Sequence, residues 1–191
     1  MMLTYELTEL IETVIMNSER YVKQRGHMAL HNDRQLDGLG WRILRLLQDN
    51  ARLSFRQIGE TIGLTAPAVA ERVRRLEDTG ILKGYHAEID LAQAGLPIMA
   101  FIHLMTNSTQ SARLRKAIGD MPEVIECHCV TGNESYIVKV AVTTVPHLEH
   151  LLLELGSFGE VRTSLVLSTQ ITRRPIDENM IQDMANRQVR E

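Results

Sequence analysis

The sequence is poor in several features that define large classes of protein. Only 4% of its 191 residues are aromatic and only two are cysteine. The cysteines, Cys127 and Cys129, are too close along the chain to staple a fold with a disulfide, so a reducing cytoplasm is the expected location. No apolar run approaches the roughly 20 residues of a membrane-spanning helix, and no signal peptide is recognisable. The sequence therefore predicts a cytoplasmic protein without a membrane partner.

An excess of positive charge is also missing. The formal net charge is −3 at pH 7, so the chain as a whole is not a polycation that binds nucleic acid by charge alone. Residues 35–90 balance eight Lys or Arg against eight Asp or Glu, and the acidity belongs mostly to residues 91–172 and 1–34. Any binding of DNA must come from the local arrangement of cations.

The sequence motifs of common enzyme classes are absent as well. There is no Gly-rich phosphate loop after a strand, no Gly-x-Ser-x-Gly and no paired-carboxylate pattern, so we expect neither catalysis nor a cofactor. On a strand, Cys127 and Cys129 would face one side and His128 the other, so these residues would not converge on a metal. A small metalloenzyme remains an alternative, with ligands drawn from four histidines, His103, His128, His147 and His150.

Residues 1–34 form a segment of their own. Their apolar residues recur at helical spacing and predict an amphipathic helix to about Gln24, from Leu3, Leu7, Leu10, Ile11, Val14 and Ile15. Gly26-His27-Met28 also has the form of a cloning junction. The segment is therefore either a native partner helix or vector-derived.

Residues 35–90 have helical periodicity with clear helix boundaries. A first helix ends at Asp49-Asn50. Ser54 and Gln57 form a capping box for a second helix, which breaks at Gly63. Thr65 caps a third helix, which ends near Gly80. Apolar residues between 81 and 89 then suggest short extended segments, so the pattern predicts a winged helix-turn-helix with an exit strand.

The third helix carries the densest group of cations in the chain. At about 100° per residue, Val69, Val73 and Leu76 share one stripe that must face the core. The opposite face can enter a DNA groove, and guanidinium groups suit both phosphate oxygens and the acceptor edge of guanine. The candidate DNA-binding residues are Arg52, Arg56, Thr65, Pro67, Ala70, Glu71, Arg72, Arg74 and Arg75. Because the domain is neutral, we expect assembly to be needed for useful affinity.

In residues 91–172 the period changes to two. Four β-like runs alternate with two helical stretches in the order βαββαβ, with strands at 98–105, 124–130, 136–142 and 161–169 and helices at 111–121 and 146–155. This order predicts an α+β, ferredoxin-like antiparallel sheet with both helices on one face. Its other face is also apolar, through Met99, Phe101 and Met105, so we expect a second sheet to cover it in a homodimer.

Together these motifs resemble those of the Lrp/AsnC (feast/famine) transcription regulators. The resemblance covers about residues 36–172 and rests on the helix-turn-helix from Leu36 to Asp90 and on PEVIECHCVTGNESYIVKV and VRTSLVLST in the second domain. It implies that the third helix binds double-stranded DNA and that the second domain, of the RAM type, dimerises sheet to sheet. It further implies dimers assembled into an octamer or another even multiple, with an amino acid or similar small effector between neighbouring domains.

The resemblance also places the effector site. In that family the effector pocket uses the turn between the middle strands, and hydroxyl groups at the start of the last strand are further candidates. The implied effector-binding residues are Gly132, Asn133, Glu134, Ser135, Tyr136, Thr163 and Ser164. A rival interpretation is an oligomeric small-molecule-binding protein without DNA binding, which the neutral first domain favours. Residues 173–191 form a charged tail, helical from Asp177 to Gln188, for which the sequence indicates no function.

Overall fold

The computed structural model describes residues 36–132 and 135–188, which divide into two compact units. The first consists of residues 36–87 together with 171–188, and the second of residues 88–170. The amphipathic helix expected within residues 1–34 lies outside the described residues. The tail, which the sequence separates as its own segment, groups with the first unit.

Residues 36–87 of the first unit form three helices, and polar caps set their boundaries. They are α1 (Gly38–Asp49), α2 (Phe55–Ile62) and α3 (Ala66–Asp78). The N-caps are Asp37, Ser54 and Thr65; the Ser54 side chain accepts from the Gln57 backbone while the Gln57 side chain accepts from the Ser54 backbone. The predicted helix boundaries of the helix-turn-helix are therefore confirmed.

The three helices enclose one apolar core. Its fully buried side chains come from all three helices and include Ile43, Ile58, Val69 and Val73. Partly buried residues, among them Leu36, Trp41 and Leu82, pack against this core. Val69, Val73 and Leu76, which sequence periodicity assigned to the inner face of α3, are buried in this core.

Gly59 allows the tight turn between α2 and α3. Its carbonyl accepts from the backbone N–H groups of both Gly63 and Leu64 at 2.9 Å, and a Cβ on Gly59 would overlap the carbonyl oxygen of Leu64. Gly63, in contrast, has a φ of 78° in the left-handed region and open space around its Cβ position. The turn therefore needs glycine at two positions for two different reasons.

We expect Gly59→Ala to lower the free energy of unfolding by about 2 kcal/mol or more, because the backbone of the turn must move to admit the methyl group. Gly119→Ala is the matched control, since Gly119 is also helical and has nothing within 4 Å of its Cβ position. There we expect a gain of about 0.5 kcal/mol. Urea unfolding followed by circular dichroism measures both, and equal effects would contradict this account of the turn.

The chain between α3 and the second unit differs from the expectation of a wing. The described residues 79–97 contain no strand, and the C-terminal end of α3 is closed by a left-handed Gly80 with a φ of 72°. Within one chain, the expected wing and exit strand are therefore not formed as paired strands. The physical reason is that an extended segment becomes a strand only when its backbone groups find a neighbour to pair with.

The second unit is a four-stranded antiparallel sheet with two helices. Its elements are β1 (Ile98–Met105), α4 (Ser108–Asp120), β2 (Val124–Cys129), β3 (Tyr136–Val142), α5 (Val145–Gly156) and β4 (Glu160–Leu165). The strand order is β2-β3-β1-β4, with β1 antiparallel to both of its neighbours. This confirms the α+β fold class with a ferredoxin-like second domain. The last strand ends at Leu165, four residues before the predicted end.

The two faces of the sheet have different surroundings. Ala100, Ile102 and Leu104 of β1 are fully buried in the core that α4 and α5 complete with Leu114 and Leu155. The intervening residues Met99, Phe101, His103 and Met105 point to the opposite face, which we call the open face, and Phe101 and Met105 are 36% and 39% exposed. Among the described residues, no helix is long and apolar enough to cross a membrane.

Candidate functional site

The third helix, α3, presents its charged side outward. Val69, Val73 and Leu76 are buried against the core of the first unit, whereas Glu71, Arg74 and Arg75 are exposed. Pro67 lies exposed in the first turn, and Thr65 uses its hydroxyl to accept from the Ala68 backbone as the N-cap. Ala70 is half-buried beside them. The helix thus has the amphipathic form of a helix that reads a DNA groove.

One of the candidate DNA-binding arginines is engaged within the protein. Both carboxylate oxygens of Asp37 accept from Nη1 of Arg72 at 2.9 Å. The same carboxylate caps α1 by accepting from the Gly40 backbone at 2.8 Å. Arg72 therefore ties the start of α1 to α3.

Two further candidates form local ion pairs on exposed helix surfaces. Arg74 lies 3.1 Å from Glu71 on α3, and Arg56 lies 2.8 Å from Glu60 on α2. Such exposed pairs are weak, so phosphate groups can replace the carboxylates at little cost. Arg52 and Arg75 make no ion pair with any of the described residues. Of the candidate arginines, Arg52, Arg56, Arg74 and Arg75 are therefore the accessible ones.

Hydrogen bonds from the Gly40 backbone and from Arg72 hold the pKa of Asp37 below its usual range. We expect Asp37→Ala to lower the free energy of unfolding by about 1 kcal/mol at neutral pH through the lost helix cap. The half-exposed ion pair adds little to this. A group with a lowered folded-state pKa stabilises above its unfolded pKa and loses that effect as pH falls through the folded value. The difference between the two proteins in chemical unfolding should therefore shrink in strong acid, where a protonated Asp37 is a weaker cap, and an undiminished difference there would contradict the prediction.

The implied effector turn between β2 and β3 is described in part. Gly132 has a φ of 110° with open space around its Cβ position, while Asn133 and Glu134 lie outside the described residues. The Ser135 hydroxyl accepts from the Thr106 N–H and donates to the Thr106 carbonyl, each at 3.1 Å. Ser135 therefore ties the turn to the end of β1.

Tyr136 belongs to the core rather than to the surface of the turn. Its side chain is 5% exposed, and its hydroxyl lies 2.6 Å from the hydroxyl of Ser111 on α4. Thr163 and Ser164 pair with Ile102 and Phe101 of β1, so their side chains lie on opposite faces of the sheet. Tyr136 lies on β3, where it pairs with Leu104 of β1, and β3 is two strands away from β4, which carries Thr163. Strand spacing then separates Thr163 from the turn by about 10 Å or more, so one chain does not join them into one pocket.

The open face of the second unit carries charged and apolar groups together. Glu126 accepts from Lys139 at 2.8 Å and lies 3.3 Å from His128, and Lys139 and His128 hold the pKa of this carboxyl below its usual range. On the same face, where β1 meets β4, a depression is lined by His103, Met105, Glu160 and Arg162. The charged pairs thus flank the apolar stripe of β1.

The residues of the metalloenzyme alternative do not converge. Cys127 and Cys129 lie opposite Val138 and Tyr136, on the helix side of the sheet, whereas His128 faces the other way. His147 pairs with Glu123 at 2.8 Å. No three His, Cys, Asp or Glu side chains of the described residues are grouped as metal ligands.

Sequence reasoning missed the functional pairing of Asp37 with Arg72. Asp37 precedes the first apolar run, which signals a helix cap, but its partner is 35 residues away. It also missed that Gln48 of α1 binds the backbone of Ile176. Neither partner leaves a local signal in the sequence.

Comparison with known proteins assigns a family description to each unit. Residues 36–77 match the AsnC-type helix-turn-helix domain, and residues 99–176 match the Lrp/AsnC ligand binding domain. The transcriptional regulator LrpB of Bacillus subtilis is 34% identical over 149 residues, which cover 78% of this chain and 99% of that relative.

Two solved structures share the architecture. B. subtilis LrpC is 28% identical with a TM-score of 0.69, over 72% of this chain and 99% of that one. The feast or famine regulatory protein of M. tuberculosis, complexed with L-methionine, is 30% identical with a TM-score of 0.67, over 74% of this chain and 99% of that one.

Proposed function

The chain belongs to the Lrp/AsnC family of transcription regulators, and from this we propose that its α3 binds specific DNA sequences under the control of an amino-acid effector. At the coarser level, the protein is a transcription regulator with a helix-turn-helix DNA-binding domain and a ligand-binding domain, and it is not an enzyme. A regulator of this kind works where the chromosome is, so we place it in the cytoplasm.

The outward face of α3 carries the proposal. Arg74 and Arg75 are exposed on it, Arg52 and Arg56 lie at the entry to α2, and Thr65, Pro67, Ala70 and Glu71 line its first turns. We assign phosphate and base contacts to the four accessible arginines. Arg72 instead positions α3 through Asp37. Two such helices, related by the two-fold axis of a dimer, would enter successive major grooves.

We propose that the dimer forms through the open face and that dimers assemble into an octamer or another even multiple. Exposed Phe101 and Met105 support a partner sheet, because apolar side chains in a continuous strip gain free energy when covered. Assembly also explains how a neutral DNA-binding domain gains affinity, since linked domains bind one duplex together.

For the effector, we propose an amino acid held by the turn from Gly132 to Ser135, with neighbouring domains completing the pocket. The exposed backbone at Gly132 suits a carboxylate, and L-methionine is bound by a 30% identical relative. Because Tyr136 is buried in the core, we assign its side chain no effector contact, and we keep Thr163 and Ser164 as candidates for contacts across an assembly interface.

Selection of duplexes from a random library tests the DNA-binding function. The expected result is one enriched motif with two related half-sites about one helical turn apart, as a dimer with two recognition helices requires. Recovery of no motif, together with binding of a small molecule, would favour the oligomeric small-molecule-binding protein without DNA binding.

A thermal-shift screen with the twenty amino acids tests the effector. A cognate amino acid at about 100 times its Kd stabilises the folded state by about 2.7 kcal/mol, which raises the melting temperature by several degrees. Gly132→Val should remove the shift, because a β-branched residue is strained at a φ of 110° and forces the turn backbone to change. Gly119→Ala is the control. A shift that survives in Gly132→Val would place the pocket elsewhere.

A further inference from the structure

The C-terminal segment docks on the first helix of the DNA-binding unit. Gln48 of α1 donates to the Ile176 carbonyl at 2.8 Å and accepts from the Ile176 N–H at 2.9 Å. Its amide nitrogen also donates to the Leu44 carbonyl at 3.2 Å. The Gln48 amide therefore binds the main chain of the tail as a neighbouring strand would.

Two carboxylates align the tail on α1. Asp177 lies 3.4 Å from Arg45, which also pairs with Asp49 at 2.9 Å. The other oxygen of Asp177 accepts from the Met180 N–H at 2.9 Å and so caps the tail helix, α6 (Glu178–Gln188). The Glu178 carboxylate lies 3.9 Å from the Cβ position of Gly38 at the start of α1. The docked segment thus reaches from the last turn of α1 to its first.

This segment covers a side of α1 that the core does not use. The core takes Ile43, Leu44 and Leu47, whereas the tail meets Gly38, Arg45 and Gln48. At its N-terminal end, α1 is also tied to α3 by the pair of Asp37 and Arg72. The first helix is therefore held between the tail on one side and the recognition helix on the other. Most of the tail lies beyond residues 36–77 and 99–176, the ranges that match the family domains.

We propose that residues 176–178, continued by α6, form a strap that positions α1, and through it α3, for DNA binding, with Gln48 as the positioning residue. The inference rests on the proposed role of α3. It assigns Gln48 no contact with DNA: the residue binds the strap, the strap holds α1, and α1 holds the recognition helix through Arg72. Loss of the strap should lower affinity without removing any contact to phosphate.

The test compares Gln48→Ala, a chain ending at Pro175, which lacks the Ile176 main chain, and the control Gln182→Ala. Gln182 also carries an amide, but it bonds only within α6, to Glu178. In Gln48→Ala, hydrogen–deuterium exchange should be about fivefold faster in peptides from α6 and also faster in those from α1. Both strap variants should bind a selected duplex about three- to tenfold more weakly, with the same salt dependence as the wild type. The control should match the wild type in every measurement.

Unchanged hydrogen–deuterium exchange of α6 in Gln48→Ala would contradict the docking role of Gln48. Faster exchange combined with wild-type DNA affinity would contradict the proposal that the strap positions α3. A reduced salt slope would mean that Gln48 or the tail contacts phosphate, which also contradicts the proposal. The chain ending at Pro175 keeps residues 36–77 and all but the last residue of 99–176, and it guards against a folding defect caused by the point substitution. If the wild type binds no duplex, the proposed function fails by itself, and exchange of α1 alone decides whether the strap holds that helix.

Discussion

Replacing both Arg74 and Arg75 with alanine should weaken binding to a selected duplex by about tenfold or more and lower the salt slope by about two. Each phosphate neutralised by a cation contributes about 0.9 to the slope of log affinity against log salt, and a lost bidentate contact to guanine costs about 1–3 kcal/mol. Arg75 makes no ion pair with the described residues, and Arg74 is held only by an exposed pair with Glu71. Both are thus available to DNA.

Arg113→Ala with Arg115→Ala is the matched control. These arginines are exposed on α4 of the ligand-binding domain, and their loss changes the net charge by the same amount. Fluorescence anisotropy over a salt series measures affinity and slope together. Equal losses in the two double variants would show a nonspecific effect of charge and would contradict α3 as the reader. The Arg72→Ala variant should differ from both, with lower stability and an unchanged slope, because Arg72 binds Asp37.

Phe101→Glu should convert the assembled protein to monomers. Phe101 lies on the open face at the centre of β1, between Lys139 of β3 and Ser164 of β4. The cross-strand neighbour Lys139 already pairs with Glu126, so covering a carboxylate at this position with an apolar partner surface costs several kcal/mol of desolvation that no new ion pair repays. Since the substitution leaves the core between sheet and helices intact, each domain should remain folded.

Leu153→Glu is the control for this effect. Leu153 is 77% exposed on α5, on the other side of the sheet, so it introduces the same charge away from the open face. Analytical ultracentrifugation should show a dimer or larger species for the wild type and for Leu153→Glu, and a monomer for Phe101→Glu. A well-folded wild-type monomer at micromolar concentration would contradict the dimer outright. Loss of the dimer should also weaken DNA binding, since two recognition helices no longer act on one duplex.

The elements of the fold were open to prediction because their signals are local. Helix caps such as Ser54 and Thr65 satisfy backbone groups within three residues, and alternation along β1 separates Ile102 from Phe101 over adjacent positions. The strand bounds at 98–105 and 136–142 were correct for this reason. The expected wing and exit strand do not pair within one chain, because residues 79–97 have no strand beside them.

The candidate site was predictable in position but not in detail. Helical periodicity placed Arg74 and Arg75 on the outside of α3, and burial of Val69 and Val73 agrees with it. Arg72 was counted among the DNA contacts as a member of the same cationic cluster, because a cation on a helix does not reveal which carboxylate will meet it. The effector residues remain predictions, and the burial of Tyr136 and the position of Thr163 show that a run of neighbours need not form one pocket.

The sequence by itself determined the order of helices and strands, the face of each that is buried, and the family motifs, since all of these depend on residues a few positions apart. Only the tertiary structure decided that Asp37 holds Arg72, 35 residues away, and that Gln48 holds Ile176, 128 residues away. These polar contacts form after the apolar cores have brought distant segments together. Their partners are selected by geometry in three dimensions, which no local pattern of residues records.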